Sequence, residues 1–232
     1  MALNNVQNKI YDFLQRANNH LDEKNALFYN GQCATGKIDN PDLLFISINP
    51  GFENQYWGER KKKFDFTEYK VTPCKYIDEY KDIENRKLAD RIVNVLLDGK
   101  VERLNHCAET YVTSIFNTPD TKILYESLNQ LTPELRKEHD ELSNKIINLI
   151  KPKHIVCIGL TAFSEYLNRF GKNGYADIQM KDTLSASGKS RPVHLKKTVV
   201  NGIPVYGILH LSGAQISTEA LNDLKEEFKA LF

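Results

Sequence analysis

Four short apolar runs, separated by segments of helical periodicity, constrain the fold of this 232-residue chain more than any other feature. They are 42–48 (Asp42 to Ile48), 110–116 (Thr110 to Phe116), 154–158 (His154 to Ile158) and 203–209 (Ile203 to Leu209). Each reads as a strand buried on both faces. Strands of that kind alternating with helices predict a parallel sheet with helices above and below it. The helical segments carry their own boundaries. Val6, Ile10, Phe13, Leu14, Ala17 and Leu21 place an amphipathic helix over 3–21. Leu88, Ile92, Val95 and Leu96 mark a second helix, ended by Asp98-Gly99. Thr132-Pro133 has N-cap and N1-proline chemistry and opens a helix carrying Leu135, Leu142, Ile146 and Leu149. Phe163, Tyr166, Leu167 and Phe170 form a helix that stops at Gly171, and Ser217 caps a last one with Leu221, Leu224, Phe228 and Leu231. Residues 52–83 read as a long functional loop with room for a short helix. Residues 171–201 read as a loop or hairpin ending at Asn201-Gly202. The expectation is one three-layer α/β/α domain over 1–232 built on a four-stranded parallel sheet, with 1–40 as N-terminal helix and lead-in and 41–232 as core.

Composition narrows the function classes. Forty-one per cent apolar residues can supply a core, and the net charge of +1 leaves any attraction to nucleic acid to local patches. The four cysteines, Cys33, Cys74, Cys107 and Cys157, show no C-x-x-C spacing, so structural thiols are expected and no metal or cofactor site is. The amino end has no apolar signal core, and no apolar stretch is long enough to span a membrane. A soluble, cytoplasmic protein without membrane attachment or an obligate protein partner is expected.

Two of the apolar runs end in residues able to carry chemistry. The first is followed by Asn49-Pro50-Gly51-Phe52, the fourth by His210-Leu211-Ser212-Gly213. Ligands of open parallel sheets bind beyond the carboxyl ends of the strands, so an amide and an imidazole far apart in sequence are expected at one pocket. An amide can orient water, and an imidazole can stabilise developing negative charge. The pattern therefore points to a hydrolysis whose leaving group departs as an anion. Each motif also has an ordinary explanation: Asn-Pro and Pro-Gly are common turn dipeptides, and histidine at a strand end is often plain surface. Their joint placement is what carries weight, together with the backbone N–H groups that Ser212-Gly213 offers near the last helix.

Ser47-Ile48-Asn49-Pro50-Gly51 resembles the first motif of the uracil-DNA glycosylase superfamily, in the G-x-N-P-G form of its mismatch-specific and single-strand-selective branches. His210-Leu211-Ser212-Gly213 resembles the second motif, H-P-S-P in most branches and N-P-S-G in the mismatch-specific one. The segment from His154 to Phe163 is similar to the family's third-strand region, and the resemblance covers roughly 40–232. The chain departs from the pattern at three positions. Ser47 replaces a glycine and Leu211 a proline. Ser114 stands where many members have an asparagine that reads the uracil edge, a paired contact that a hydroxyl cannot make. Asn117 is the substitute to consider, beside its ordinary role as a turn residue before Thr118-Pro119-Asp120.

The resemblance implies a DNA glycosylase acting on uracil or another deaminated or damaged base, in single- or double-stranded DNA. Asn49 would position the attacking water, and His210 would hydrogen-bond the departing base together with backbone N–H groups. Ile48, Pro50, Gly51, Phe52, Ser114, Asn117, Ser212 and Gly213 would line the base pocket, with Phe52 stacking on a flipped base or packing in the core. Lys61, Lys62 and Lys63 in the first long segment, and Lys189 and Arg191 in the second, would hold phosphates. Gln215 or Ile216 would act as a wedge in the duplex. Two other readings compete: a glycosylase-like module that binds without cleaving, which Ser114 favours, and an unrelated α/β enzyme using His210. No G-x-S-x-G elbow, P-loop or G-x-G-x-x-G supports the latter.

Overall fold

The structure, a computed structural model, describes residues 2–21, 33–49, 69–83, 87–113, 115, 121–171, 176–184, 190–212 and 216–231, with backbone alone for 176–184 and 190–194. In chain order its elements begin with α1 (Ala2–Asn18), β1 (Thr35–Gly36), β2 (Leu43–Ser47), α2 (Lys75–Lys81) and α3 (Lys87–Arg91), which continues as a wider π turn over Ile92–Leu96. A 3-10 segment (Val101–His106), β3 (Cys107–Tyr111), α4 (Thr121–Gln130), α5 (Pro133–Ile150), β4 (His154–Ile158) and α6 (Leu160–Phe170) follow. The chain continues with β5 (Ala176–Leu184), β6 (Ser190–Val200), β7 (Ile203–Ile208) and α7 (Thr218–Lys229). There are two compact units: Met1–Ala34, Ser47–Val71 and Thr110–Lys151 form the first, and Thr35–Ile46, Thr72–Glu109 and Pro152–Phe232 the second.

The first unit is built on helices. Val6, Ile10, Phe13, Leu14 and Ala17 of α1 are buried, as the spacing predicts, and so are Leu135, Leu142, Ile146 and Ile150 of α5. Arg16 of α1 grips Glu138 of α5 through two guanidinium nitrogens, at 2.8 and 2.5 Å. The Phe13 and His139 rings lie 6.3 Å apart. The predicted start of α5 is present: the Thr132 hydroxyl accepts from the Leu135 N–H at 3.3 Å, with Pro133 at the first helical position. Lys151, left-handed at φ 49°, ends the helix.

The second unit carries the sheet, apart from the last residues of β2 and β3. Its strand order is β1-β3-β2-β4-β7-β6-β5. The α/β class is as expected, but the four-stranded, all-parallel sheet is not what forms. The four expected strands are its contiguous centre, with β2 and β7 both parallel to β4. Antiparallel strands extend it on both sides: β1 on β3, then β6 on β7 and β5 on β6. Polar and charged residues are interspersed along β5 and β6, so neither presents a continuous apolar run to read. Asn201-Gly202, both at positive φ (52° and 80°), makes the two-residue turn between β6 and β7. The strand expected over 110–116 also lies earlier, at Cys107–Tyr111, where all five residues are buried. Glu109 and Thr110 interrupt the apolar pattern there, and pairing of Ala108 and Glu109 with Gly36 and Thr35 fixes the register.

Helices lie against both faces of this sheet. Phe45, Val156 and Tyr206 stand side by side across β2, β4 and β7. They share one buried core with Tyr76 of α2, Ile92 and Leu96 of the π turn, and Leu224 and Phe228 of α7. Tyr76 meets Phe45 edge-on at 5.5 Å, and Phe228 lies 5.2 Å from Tyr206. On the other face Cys157 and Gly207 are neighbours, and Phe163 of α6 sits against Gly207. A Cβ on Gly207 would come 2.4 Å from the Phe163 ring, so only glycine admits α6 this close.

Candidate active site

The carboxyl ends of β4 and β7 form the floor of the site in the second unit. Ile158 and Ile208 end the two strands in register. Gly159 then turns the chain at φ 106°, a conformation L side chains rarely adopt, and its N–H donates to the Ile208 carbonyl at 2.9 Å. A Cβ at Gly159 would lie 3.9 Å from both Cβ and Cδ2 of His210, so this turn backs the imidazole directly. Nδ1 of His210 is 2.9 Å from the Ser212 hydroxyl. The hydroxyl can donate to Nδ1 only when that nitrogen carries no hydrogen, and the neutral ring then keeps its hydrogen on Nε2. His210 is exposed as a residue, yet its proton affinity is lowered below the ordinary histidine value. Crowding of protein around the ring is the larger cause, and the positive charge of Lys75 is the second.

The turn that presents His210 is anchored on both sides of its chain. The Leu211 side chain is fully buried in the core of the second unit, and its carbonyl accepts a hydrogen bond from the Arg91 guanidinium at the end of α3. Leucine stands here where the resembling motif has proline. Burial and the arginine bond hold the turn in place of a ring-locked φ. Ser212 is half-buried, and Ile216 packs half-buried against the same core. Nothing in the amphipathic pattern of 87–96 singles out Arg91.

A charge network centred on the buried Glu109 joins β1, β3 and α2 in the second unit, and it is the main feature that sequence reasoning missed. Glu109 in β3 is 1% exposed. One of its oxygens is 3.1 Å from the Lys75 ammonium, and the other accepts from the Thr35 hydroxyl at 3.3 Å. The Thr35 oxygen in turn accepts from the Lys75 backbone N–H at 3.1 Å. Glu79, one turn along α2, lies 3.8 Å from the same ammonium. Burial works against the Lys75 charge, but Glu109 and the other neighbours outweigh it and raise its pKa above the usual lysine value. The ion pair therefore favours the charged form of Lys75. Burial holds the Glu79 carboxyl above its ordinary range, against the opposing pull of Lys75. The sequence signal was a lone glutamate inside the strand-like segment 107–111.

Asn49 belongs to the first unit. Ser47, at the end of β2, accepts from the Val112 N–H at 2.9 Å. The Ile48 carbonyl accepts from the Thr113 N–H at 2.9 Å and from the Thr113 hydroxyl at 2.6 Å. The two residues before Asn49 are therefore bonded to Val112 and Thr113, just after β3. Asn49 itself is half-buried. Pro50, Gly51, Phe52, Lys61, Lys62, Lys63, Ser114, Asn117, Lys189, Gly213 and Gln215 lie outside the described residues. The Arg191 backbone is in β6, opposite Thr183.

All four cysteines are buried and unbridged. Burial pushes the Cys107 thiol up to about 12 and those of Cys74 and Cys157 higher still, so these three stay protonated at neutral pH. Among the described residues no three His, Cys, Asp or Glu side chains group to hold a metal ion, and no helix is long and apolar enough to cross a membrane. Compared with family models and with curated proteins, the chain matches none.

Proposed function

We propose that the chain is a DNA glycosylase with a uracil-DNA glycosylase-like core, hydrolysing the N-glycosidic bond of uracil or another deaminated or damaged base in base-excision repair. The observation that carries this reading is the His210 turn. The His210 ring, 2.9 Å from the Ser212 hydroxyl through Nδ1, follows the end of a central parallel strand, in the segment that resembles the family's second motif. Cleavage breaks the bond between C1′ and the base nitrogen, and the electron pair leaves with the base. Positive charge grows on the sugar and negative charge on the base oxygens. The Nε2–H of His210 donates to that anion. Water bonds to C1′ and releases its proton to solvent. The Asn49 amide has no useful basicity, so its task is to orient that water. Its part in the reading rests on the resemblance of 47–51 to the first motif.

A panel of oligonucleotides carrying uracil, hypoxanthine, xanthine or an alkylated base, single- and double-stranded, tests the proposal by alkali-revealed abasic sites. The expected result is excision of at least one base. Asn49→Ala and His210→Ala should each lower the single-turnover rate roughly a hundredfold while DNA affinity stays within a few-fold. Ser114 favours the second reading, a module that binds a base or nucleic acid without cleavage. DNA binding with no abasic product on any substrate would establish that reading and reject the first.

A further inference from the structure

His210 and Ser212 meet across one intervening residue, Nδ1 to hydroxyl at 2.9 Å. Their contact therefore depends on the backbone of Leu211. Burial fixes the Leu211 side chain in the core of the second unit. It does not by itself fix the peptide that follows, because that plane turns about the ψ of Leu211 and the φ of Ser212. The atom that sets the plane is the Leu211 carbonyl oxygen, and the Arg91 guanidinium donates to it. A hydrogen bond from an ionised donor is roughly twice as strong as a neutral one, so it can hold a peptide in one orientation.

The arginine is itself firmly based. Arg91 is half-buried at the end of α3, with helical backbone angles (φ −67°, ψ −37°). The π turn that starts at the next residue buries Ile92, Val93, Val95 and Leu96, in the core that also takes up Leu211. Wider turns of this kind inside a helix are rare and occur frequently at functional sites. The imidazole has a second support. A Cβ at Gly159 would lie 3.9 Å from its Cβ and Cδ2, and the Gly159 N–H is bonded to the Ile208 carbonyl at the end of β7. The ring is thus backed by the Gly159 turn and reached by the Ser212 hydroxyl, and the second contact depends on α3.

We propose that Arg91 is a positioning residue of the His210 site: by holding the Leu211 carbonyl it sets the peptide between Leu211 and Ser212, keeps the hydroxyl on Nδ1, and so fixes the direction in which the imidazole meets the leaving base. The proposal rests on the glycosylase reading for its substrate, while the relation between Arg91 and the ring is measurable without it. A misaimed donor is felt most where negative charge on the base is greatest, in the transition state. Loss of Arg91 should therefore appear in the chemical step and not in DNA binding.

The test uses the full chain. Arg91→Met keeps the length of the side chain and removes the donor, with Arg91→Gln in its place if the first does not fold. Arg91→Lys keeps a charged donor. Phe228→Leu loosens the same core through α7 and removes no hydrogen bond. Nitrogen-15 shifts of the His210 ring report whether Nδ1 is bonded. Arg91→Met should move the Nδ1 signal towards that of a free imidazole, while Arg91→Lys and Phe228→Leu stay near wild type. Single-turnover excision by Arg91→Met should fall roughly ten- to a hundredfold, with DNA affinity within a few-fold of wild type, and Arg91→Lys should recover most of the loss. Unchanged ring signals in Arg91→Met overturn the proposal. So does an equal change in Phe228→Leu, which would assign the effect to the stability of the second unit, and so does Arg91→Lys no better than Arg91→Met. A wild type that excises no base of the panel sinks the glycosylase reading, and the ring signals still decide whether Arg91 positions His210.

Discussion

Replacing Glu109 with glutamine tests whether the buried network is held by charge or by shape. The substitution keeps the length of the side chain and leaves an oxygen for the Thr35 hydroxyl, so what it removes is the negative charge 3.1 Å from Lys75. Breaking one half of a fully buried ion pair costs about 3–5 kcal/mol. Two features reduce that here. The Lys75 side chain is 28% exposed and so only partly removed from water, and Glu79 remains 3.8 Å away as a second partner. The expected loss is about 2–3 kcal/mol, or roughly 5–10 °C in Tm for a chain of this length. The control is Arg16→Gln, which removes the contact to Glu138. That pair is shorter, at 2.5 Å, but its side chains are 53% and 34% exposed, and such pairs contribute about 1 kcal/mol or less. Urea unfolding at pH 7, followed by far-UV circular dichroism, gives both numbers, with the Glu109 loss assigned to the transition of the second unit. A Glu109→Gln loss no larger than that of Arg16→Gln would refute the argument that burial, and not contact distance, decides which pair matters.

Gly207→Ala should destabilise the second unit by about 2–3 kcal/mol, since the new Cβ would meet Phe163 at 2.4 Å and α6 would have to shift; wild-type stability in a urea titration would count against that packing. Stability should also fall as pH drops from 7 towards 5. His210 and His154 both hold protons less tightly folded than unfolded, so the unfolded chain takes up more protons below the ordinary value of 6.5. Their contribution is complete above that pH and is lost as pH falls towards their depressed values. Asp42, held low by its bond to Lys153, keeps its contribution down to the ordinary value of 3.8 and loses it only below. Glu79, held above its ordinary value, acts in the opposite sense, so Glu79→Gln should steepen the decline. A flat profile of unfolding free energy between pH 7 and 5 would reject the assignment.

The parts of the fold that were legible in the sequence are those whose residues answer to one dominant force. The central strands β2, β4 and β7 are buried on both faces, so each had to be a continuous apolar run, and each was found at or near its bounds. The helix starts at Thr132 and Ser217 were legible because a hydroxyl accepting from an N–H three residues on needs only local geometry. Strands β5 and β6 were not. β5 and β6 are joined by ladder hydrogen bonds, Asp177 standing opposite Lys196 and Gln179 opposite His194, and backbone pairing leaves no trace in the side-chain pattern. β3 was misplaced for a related reason. Sequence reasoning treats a glutamate as surface, whereas Glu109 enters the interior together with its counter-ion on α2, and that partner is supplied by the fold.

The candidate site divides along the same line. Asn49 and His210 were conspicuous because each follows an apolar run that ends abruptly, and a residue just past the end of a parallel strand has few structural duties to explain it. The groups that hold the His210 turn were silent. Arg91 sits on the polar face of an ordinary amphipathic helix, and only the folded chain brings its guanidinium to the Leu211 carbonyl. That contact also explains how leucine can stand where the resembling motif has proline. Proline stiffens a turn through its own covalent geometry, and leucine does so here by burying its side chain and lending its carbonyl to a neighbouring helix. The departure moves the constraint from the chain to its surroundings. The His210 turn should therefore depend on α3 as well as on its own residues.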